Sequence, residues 1–182
     1  MQTMRPMLII AAFTGVAWLP APAAAKADDW DTAGTAVEWS LVGLALGKSV
    51  ADEDWNGAAH LGLSVGAATG TTQILKRAFP ETRPDGSDRR SLPSGHASTA
   101  FAAAGYLHQR YGWQWGLPAT VAAGFVGFSR VEARKHHWYD VVAGAAIGEG
   151  SAFLLTSPRD DRVILLPWGD THGAGIAVGA RF

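Results

Sequence analysis

Residues 90–99 read RSLPSGHAST, and this stretch decides the prediction of the fold. Pro93 and Gly95 lie two positions apart, which is typical of a turn. The small residues and alanines that follow favour the first turn of a helix. The N-terminus of a helix carries backbone N–H groups without partners in the helix, and it attracts negative charge. The stretch therefore predicts a turn into a helix whose start, beside His96, faces an anion.

The chain on both sides of this turn has the pattern of a helical bundle. Small and apolar residues dominate, and no alternation typical of a β-strand occurs before residue 160. The predicted helices cover residues 35–50, 56–77, 94–110, 115–130 and 138–156. Residues that break helices separate these segments. We therefore predict an all-α fold, a bundle of about five helices with the active site at one end.

The C-terminal residues have a different pattern. Residues 163–166 form a short apolar run. Over residues 176–182, apolar side chains at the even positions alternate with Ala177, Gly179 and Arg181. Together they predict a short β-ribbon of two strands around Gly169 and Asp170. We expect this ribbon to pack on the bundle.

The first 25 residues have the composition of an export signal. Arg5 precedes an apolar stretch over residues 7–19, and small residues of the A-x-A kind end at Ala25. The apolar stretch is short for a membrane span, which favours a cleaved signal peptide; a first membrane helix is the alternative. We predict three parts: this segment, a bundle domain over residues 26–158, and a ribbon or tail over residues 159–182.

Composition excludes several classes of function. The chain has 182 residues, which is enough for one domain with a buried core. A net charge of −1 provides no field for nucleic acid, and the absence of cysteine excludes disulfides and thiolate chemistry. The mean hydropathy is +0.06 and the helices are short. Both a membrane-bound bundle and a soluble periplasmic one stay open.

Three polar clusters lie at the ends of successive predicted helices. KRAFPETRP at residues 76–84 closes the second helix, and PSGH at residues 93–96 opens the third. SRVEARKHHWYD at residues 129–140 joins the fourth helix to the fifth. In an up-and-down bundle these helix ends meet on one side. The three clusters are therefore expected to converge at one end of the bundle.

The converging clusters contain groups that bind phosphate. Lys76, Arg83 and Arg130 are three fixed cations. Arginine forks match phosphate oxygens in pairs, and lysine adds a point charge. The backbone of residues 94–96 adds N–H donors at the start of a helix, and Gly95 lets a ligand approach closely.

Two histidines supply groups for proton and group transfer. Asp140 follows His136 by four residues, which places both on one face of a helical turn. An aspartate bonded to one ring nitrogen fixes the tautomer and leaves the other nitrogen free to attack. His96 would face His136 across the anion as a general acid. Phosphoryl transfer needs these parts: charge clamps, an in-line nucleophile and an opposing proton donor.

Three ordered motifs resemble the signature of a known family. Lys-x6-Arg-Pro at residues 76–84, Pro-Ser-Gly-His at residues 93–96 and Ser-Arg-x5-His-x3-Asp at residues 129–140 occur in this order. They resemble the three-part signature of the type 2 phosphatidic acid phosphatase and vanadium haloperoxidase superfamily. Every signature position is filled, and the surrounding helices fit the bundle of that family.

The resemblance implies a role for each matched residue. His136 would be the nucleophile that forms a phosphohistidine, and Asp140 would orient it. His96 would protonate the leaving group and then activate water. The residues that would hold the phosphate are Lys76, Arg83, Ser94, Gly95 and Arg130. The resemblance implies no metal and no other cofactor for the phosphatase reaction.

The resemblance also implies a function and its alternatives. It implies a metal-independent phosphatase of the bacterial cell envelope that acts on phosphomonoester or diphosphate groups of lipids, with a membrane as partner and the site facing the periplasm. A soluble periplasmic acid phosphatase acting on small esters is the first alternative. The others are a vanadate-dependent haloperoxidase, with residue 136 as the metal ligand, and an anion-binding envelope protein without activity. His137 is predicted to be a packing or rim residue.

Overall fold

The chain folds as five helices followed by a two-stranded ribbon in the part that the computed structural model describes, residues 26–159, 163–170 and 173–180. The helices are α1 (Ala27–Ala51), α2 (Trp55–Ala78), α3 (Gly95–Tyr111), α4 (Trp113–Glu132) and α5 (Trp138–Leu155). The predicted all-α bundle is confirmed. The predicted export signal, residues 1–25, lies outside the described residues.

Helix α1 begins at Ala27, so the predicted start at residue 35 is wrong. Asp28 and Asp29 lie in its first turn, where carboxylates interact favourably with the helix dipole. The Asp29 side chain also accepts a hydrogen bond from the backbone N–H of Lys26 at 2.9 Å. These two acidic residues thus stabilise the start of the helix.

Helix α3 is the centre of the bundle and contacts all four other helices. Small side chains such as Ala100, Ala103 and Ala104 are fully buried on it. Tyr106 and Leu107 provide its large buried side chains. Burial of a leucine-sized side chain contributes about 1.5–3 kcal/mol. The turn before α3 therefore sets the start of the helix on which the other four pack.

Glycines bring α5 close to α3. A Cβ atom on Gly144 would lie 2.4 Å from the carbonyl oxygen of Ser94, and one on Gly148 would lie 2.3 Å from that of Ser98. Neither space is large enough for a methyl group. The backbone N–H of Ser94 donates to the carbonyl of Asp140 at 2.9 Å, which joins the starts of the two helices.

A buried ion pair fixes the end of the bundle where α2 begins and α3 ends. Arg110 donates to both carboxylate oxygens of Asp54, at 2.7 and 2.6 Å. Asp54 also caps α2 by accepting from the backbone N–H of Gly57 at 2.8 Å. Burial alone would raise the pKa of Asp54, but the hydrogen bonds from Arg110, Gly57 and Tyr111 outweigh it and lower the pKa to about 2.

The C-terminal ribbon consists of β1 (Val163–Asp170) and β2 (Gly173–Ala180). The strands are antiparallel, with Val163 opposite Ala180 and Asp170 opposite Gly173. Strand β1 contacts α2. The predicted ribbon around Gly169 and Asp170 is therefore confirmed.

Candidate active site

A cavity of about 370 Å³ lies where α2 ends and α3 begins. The predicted site residues that line it are Lys76, Arg83, Gly95, His96 and His136. A neighbouring cavity of about 300 Å³ shares Arg83, His96 and His136 and adds Arg130. The structure thus brings the three polar clusters together at one end of the bundle.

Two predicted residues, Ser94 and Asp140, are fully buried and do not line either cavity. Ser94 caps α3, since its hydroxyl accepts from the backbone N–H of Ala97 at 3.4 Å. Its own N–H is bonded to Asp140, so Ser94 offers no free backbone donor to an anion. Gly95 and His96 are the first residues of α3, and their N–H groups have no acceptor within the helix.

Lys76 extends from the last turn of α2 into the cavity wall. Its ammonium group donates to the carbonyl oxygens of Arg90 and Ser91, at 2.5 and 3.3 Å. Burial, together with the charges of Arg83 and Arg90, lowers the pKa of Lys76 to about 8. The lysine is therefore a cation at neutral pH, but one that a modest rise in pH discharges.

The two arginines are held by carboxylates of the chain itself. Arg83, in the connection between α2 and α3, donates to Asp88 at 2.7 Å. Arg130, in the last turn of α4, donates to the Asp31 carboxylate at 2.5 Å and to the carbonyl of Trp30 at 3.2 Å. Both guanidinium groups are thus positioned before any ligand contacts them.

His136 lies in the connection before α5, so its predicted place on a helical turn with Asp140 is wrong. Its Nδ1 atom lies 3.6 Å from the carboxylate of Asp140, just beyond hydrogen-bonding distance. The His136 Nδ1 and Asp140 Oδ1 atoms are buried and have no hydrogen-bond partner. An unpaired buried polar group costs about 1–3 kcal/mol, so a small approach of the two side chains is favoured.

The Asp140 carboxylate is itself fixed by two donors. Its Oδ2 atom accepts from the Ser91 hydroxyl at 2.5 Å and from the backbone N–H of His137 at 2.8 Å. Asp140 is the third residue of α5, where a carboxylate is favoured by the helix dipole. The aspartate is therefore held in place beside His136.

His136 is nearly fully buried, and its ring is neutral at pH 7. Burial, followed by the charges of Lys76 and Arg83, lowers its pKa to about 3. A neutral imidazole keeps the lone pair that a nucleophile needs. Nδ1 faces Asp140, so Nε2 is the nitrogen free to attack.

His96 is the second histidine of the cavity, and it faces helix α1. Its Nε2 atom lies 3.4 Å from the Thr35 hydroxyl and 3.6 Å from the Glu38 carboxylate. Burial lowers the pKa of His96 to about 4, and the positive charge of Arg130 acts in the same direction.

Helix α1 provides site residues that the sequence motifs do not predict. Glu38 and Trp39 line the larger cavity, and Asp31 and Thr35 line the smaller one. A glutamate within an apolar helix is the one feature of the sequence that could have identified Glu38. The position of Asp31 depends on the approach of α1 to α4, which no local pattern encodes.

His137 lies beside the same aspartate but outside both cavities. Its Nδ1 atom is 3.2 Å from the Asp140 carboxylate, and its ring stacks on Tyr139 at 4.9 Å between centroids. Together with Glu81 and Asp140, it places three ligand atoms within 4.8 Å of one another, which is a geometry that a cation can use. Asp140 already accepts two hydrogen bonds there.

The fold and the cavity define a class: a helical bundle with a cavity at one end that is lined by two histidines and by cationic side chains. Within this class the chain can be assigned to a family. The model of the PAP2 superfamily matches residues 57–163, more than half of the sequence, and the chain belongs to this superfamily.

Relatives and a solved structure are consistent with this assignment. The chain is 36% identical over 120 residues to lipid A 4'-phosphatase of Helicobacter pylori, covering 60% of this chain and 61% of that protein. It is 40% identical over 83 residues to lipid A 1-phosphatase of Porphyromonas gingivalis, covering 43% of this chain and 18% of that protein. The chain thus spans less than two thirds of either relative. The crystal structure of Aquifex aeolicus LpxE shares the fold, with a TM-score of 0.57 and 23% identity over 68% of this chain and 83% of that one.

Proposed function

We propose that the chain is a metal-independent phosphatase that hydrolyses phosphomonoester or diphosphate groups of lipids in the bacterial cell envelope. The observation that carries the proposal is a neutral, buried His136 at a cavity that also holds His96 and the cations Lys76, Arg83 and Arg130. Cations in these positions neutralise the charge on phosphate oxygens.

The first half of the reaction transfers the phosphoryl group to His136. Its Nε2 atom attacks phosphorus while the bond from phosphorus to the leaving oxygen breaks. His96 gives a proton to that oxygen. The cations stabilise the charge on the equatorial oxygens, and loss of one such contact typically costs about 2.7–4 kcal/mol. Asp140 stabilises the positive charge that develops on His136.

The second half releases phosphate. Water attacks phosphorus, His96 takes a proton from the water, and the bond from phosphorus to nitrogen breaks. The imidazole of His136 is thereby restored. His96 therefore acts first as an acid and then as a base, which requires it to lie across the phosphate from His136.

Three observations support a lipid substrate at a membrane. Two of the relatives are named as phosphatases of lipid A. Trp39 lines the cavity and is 62% exposed, so an apolar side chain stands at its mouth. Other large apolar side chains are also exposed: Trp55, Trp113, Trp138, Phe128 and Phe153. Among the described residues, no helix has the length and apolar character to cross a membrane.

We further propose that residues 1–25 export the chain, that residues 26–158 form the phosphatase domain, and that the site faces the periplasm. The exposed tryptophans at the cavity end of the bundle, Trp39 and Trp138, would then contact the membrane interface, where such side chains are enriched. Flotation of the purified chain with vesicles of anionic phospholipid tests this association. A chain that stays at the bottom of the gradient contradicts it.

The proposed activity is tested by phosphate release with a chelator present. The panel consists of lipid A, phosphatidic acid, phosphatidylglycerophosphate, undecaprenyl diphosphate and p-nitrophenyl phosphate. We expect release from the lipids. If p-nitrophenyl phosphate is hydrolysed as fast as the lipids or faster, the soluble acid phosphatase is favoured. If no substrate releases phosphate, the proposal is refuted.

Two neighbouring histidines provide a matched pair of variants. His136→Gln is expected to lower kcat at least about 10³-fold, since it removes the nucleophile. His137→Gln is expected to keep kcat within about 10-fold, because its ring lies outside both cavities. Equal losses in both variants would contradict the assignment of His136.

A further inference from the structure

Glu38 is a buried carboxyl group that the proposed mechanism does not use. It lies on α1 and is 5% exposed, yet it lines the larger cavity. Its Oε2 atom lies 3.6 Å from Nε2 of His96, the nitrogen that also approaches the Thr35 hydroxyl. A carboxyl group is costly to bury without a partner, and His96 is an ionisable partner within reach.

The charges around this pair come from every side of the cavity. Arg130 on α4 acts on both Glu38 and His96. Lys76 on α2, Arg83 before α3 and Asp31 on α1 also act on His96. The cations disfavour a positively charged His96, so the ring binds a second proton weakly.

Glu38 and Asp140 each lie beside one of the two cavity histidines. Each carboxyl group lies 3.6 Å from one ring nitrogen of a cavity histidine. Asp140 belongs to the third motif, whereas Glu38 precedes the residues that the family model matches. The site therefore contains two histidine–carboxyl pairs, and one of them lies outside the family signature.

We infer that Glu38 is a positioning residue for His96, which orients the ring through Nε2 and replaces the proton that His96 gives away. This inference rests on the proposed phosphatase function. Distances of this kind shorten when a ligand binds, so the 3.6 Å separation is compatible with transfer in the complex.

The proton balance of the first step is closed. The leaving oxygen takes the electron pair of its bond to phosphorus and the proton on Nδ1 of His96. Glu38 passes its carboxyl proton to Nε2 and becomes a carboxylate. In the second step water gives a proton to Nδ1, and the proton on Nε2 returns to Glu38.

The proton affinities of the two groups suit this exchange. Burial raises the pKa of Glu38 to about 7, opposed by the Thr99 hydrogen bond and the charge of Arg130. The pKa of His96 is lowered to about 4 by burial first. Between about pH 4 and pH 7 Glu38 therefore keeps its carboxyl proton while His96 is a neutral ring with a single proton, so Glu38 holds the proton that His96 lacks.

Glu38→Gln tests the inference, because it keeps the size of the side chain and removes the transferable proton. For a lipid phosphate, whose alkoxide must be protonated as it leaves, we expect kcat/KM at pH 7 to fall on the order of 10²-fold. For p-nitrophenyl phosphate, whose leaving group needs no proton, we expect a fall of less than about threefold. The alkaline limb of the lipid profile should move to lower pH, and Glu38→Asp should restore part of the rate.

Glu149→Gln is the matched control. Glu149 is another partly buried carboxyl group in an apolar helix, and burial raises its pKa as well, but it does not line either cavity. We expect it to leave both substrates unaffected. Equal losses on both substrates in Glu38→Gln, or an unchanged lipid profile in it, would overturn the inference.

A second readout separates this inference from the proposed function. Nitrogen-15 NMR of the His96 ring in the wild type should show the proton on Nδ1 between about pH 4 and pH 7 and on Nε2 above about pH 7, as Glu38 ionises. A tautomer that does not change with pH overturns the role of Glu38, even if the wild type proves inactive. If the His96 tautomer changes with pH but the wild type is inactive, only the phosphatase proposal is refuted. The wild-type spectrum also decides the matter if Glu38→Gln does not fold.

Discussion

Lys76 carries a charge that depends on pH within the working range of most enzymes. Burial and two neighbouring arginines lower its pKa to about 8, so the free protein loses this cation as the pH rises through that value. We expect kcat/KM to fall above about pH 8, because this parameter reports the groups of the free enzyme.

Lys76→Arg provides the comparison, since arginine keeps its charge over the whole range. If the variant folds, the additional fall above about pH 8 should be absent from its profile, while the limb set by Glu38 near pH 7 remains in both profiles. Both profiles include the same ionisation of the substrate, so their ratio isolates residue 76. A ratio that does not change with pH would contradict the assignment.

Trp39 stands at the cavity mouth, where the organic part of a lipid substrate would pass. Trp39→Ala removes apolar contact, and we expect KM for a lipid phosphate to rise about 5- to 30-fold, which corresponds to about 1–2 kcal/mol. KM for p-nitrophenyl phosphate should change little. Trp55→Ala is the control, because Trp55 is similarly exposed at the other end of the bundle. Equal effects of the two variants would remove Trp39 from the substrate path.

At the scale of the element, the contact between α3 and α5 depends on Gly148. Gly148→Ala places a methyl group against the backbone of α3, and we expect it to lower the free energy of unfolding by about 1–3 kcal/mol. Gly150→Ala meets open space two residues away and should be neutral or stabilising, by up to about 1 kcal/mol. Denaturation followed by circular dichroism measures both. Equal stability of the two variants would show that the helices can separate without cost.

The sequence predicts helices well where their ends carry clear capping and turn residues. The start of α3 is set by a turn with Pro93 and a serine cap, so its predicted start agrees with the structure within one residue. The start of α1 was placed wrongly because acidic residues are typical both of solvated segments and of a first helical turn. Only the packed structure distinguishes these two cases.

The same limit applies to the candidate site. Lys76, His96 and His136 belong to short motifs at helix ends, and bundle topology alone brings such ends together. Asp31 and Glu38 enter the site because α1 packs closely on α4 at Gly34, where a Cβ atom would lie 1.9 Å from the Ser129 hydroxyl. Such an approach depends on the shapes of two distant segments, and a pattern within one segment does not contain it.

At the scale of the whole molecule, the two ends of the bundle have separate tasks. The cavity lies at one end, and the Asp54–Arg110 pair closes the other. Asp54→Asn removes the buried carboxylate to which Arg110 donates two hydrogen bonds, and we expect a loss of about 3–5 kcal/mol in the free energy of unfolding. At a temperature where the variant is folded, kcat/KM should equal that of the wild type. A stable variant, or a folded one with altered kcat/KM, would contradict this division.

The pair also gives the stability of the fold a defined pH dependence. The pKa of Asp54 in the folded chain, about 2, lies below that of an ordinary aspartate, so its contribution is complete above the ordinary value. The contribution is lost as the pH falls toward about 2. Thermal unfolding of the wild type and Asp54→Asn should therefore converge as the solution becomes strongly acidic. Parallel curves would show that the carboxylate is not the source of the stability.

The bond between Arg130 and Asp31 has a consequence for which anions the cavity can retain. An incoming anion does not meet a bare guanidinium group; it must take the place of a carboxylate that is already bonded there. A singly charged anion such as chloride or acetate exchanges one ion pair for an equivalent one and gains little. A phosphate group with two negative charges is attracted more strongly than the single carboxylate charge that it replaces. It would contact Arg83 and Lys76 as well. The protein thus contains its own counterion, and we expect this counterion to favour doubly charged anions over monovalent ones in the cavity.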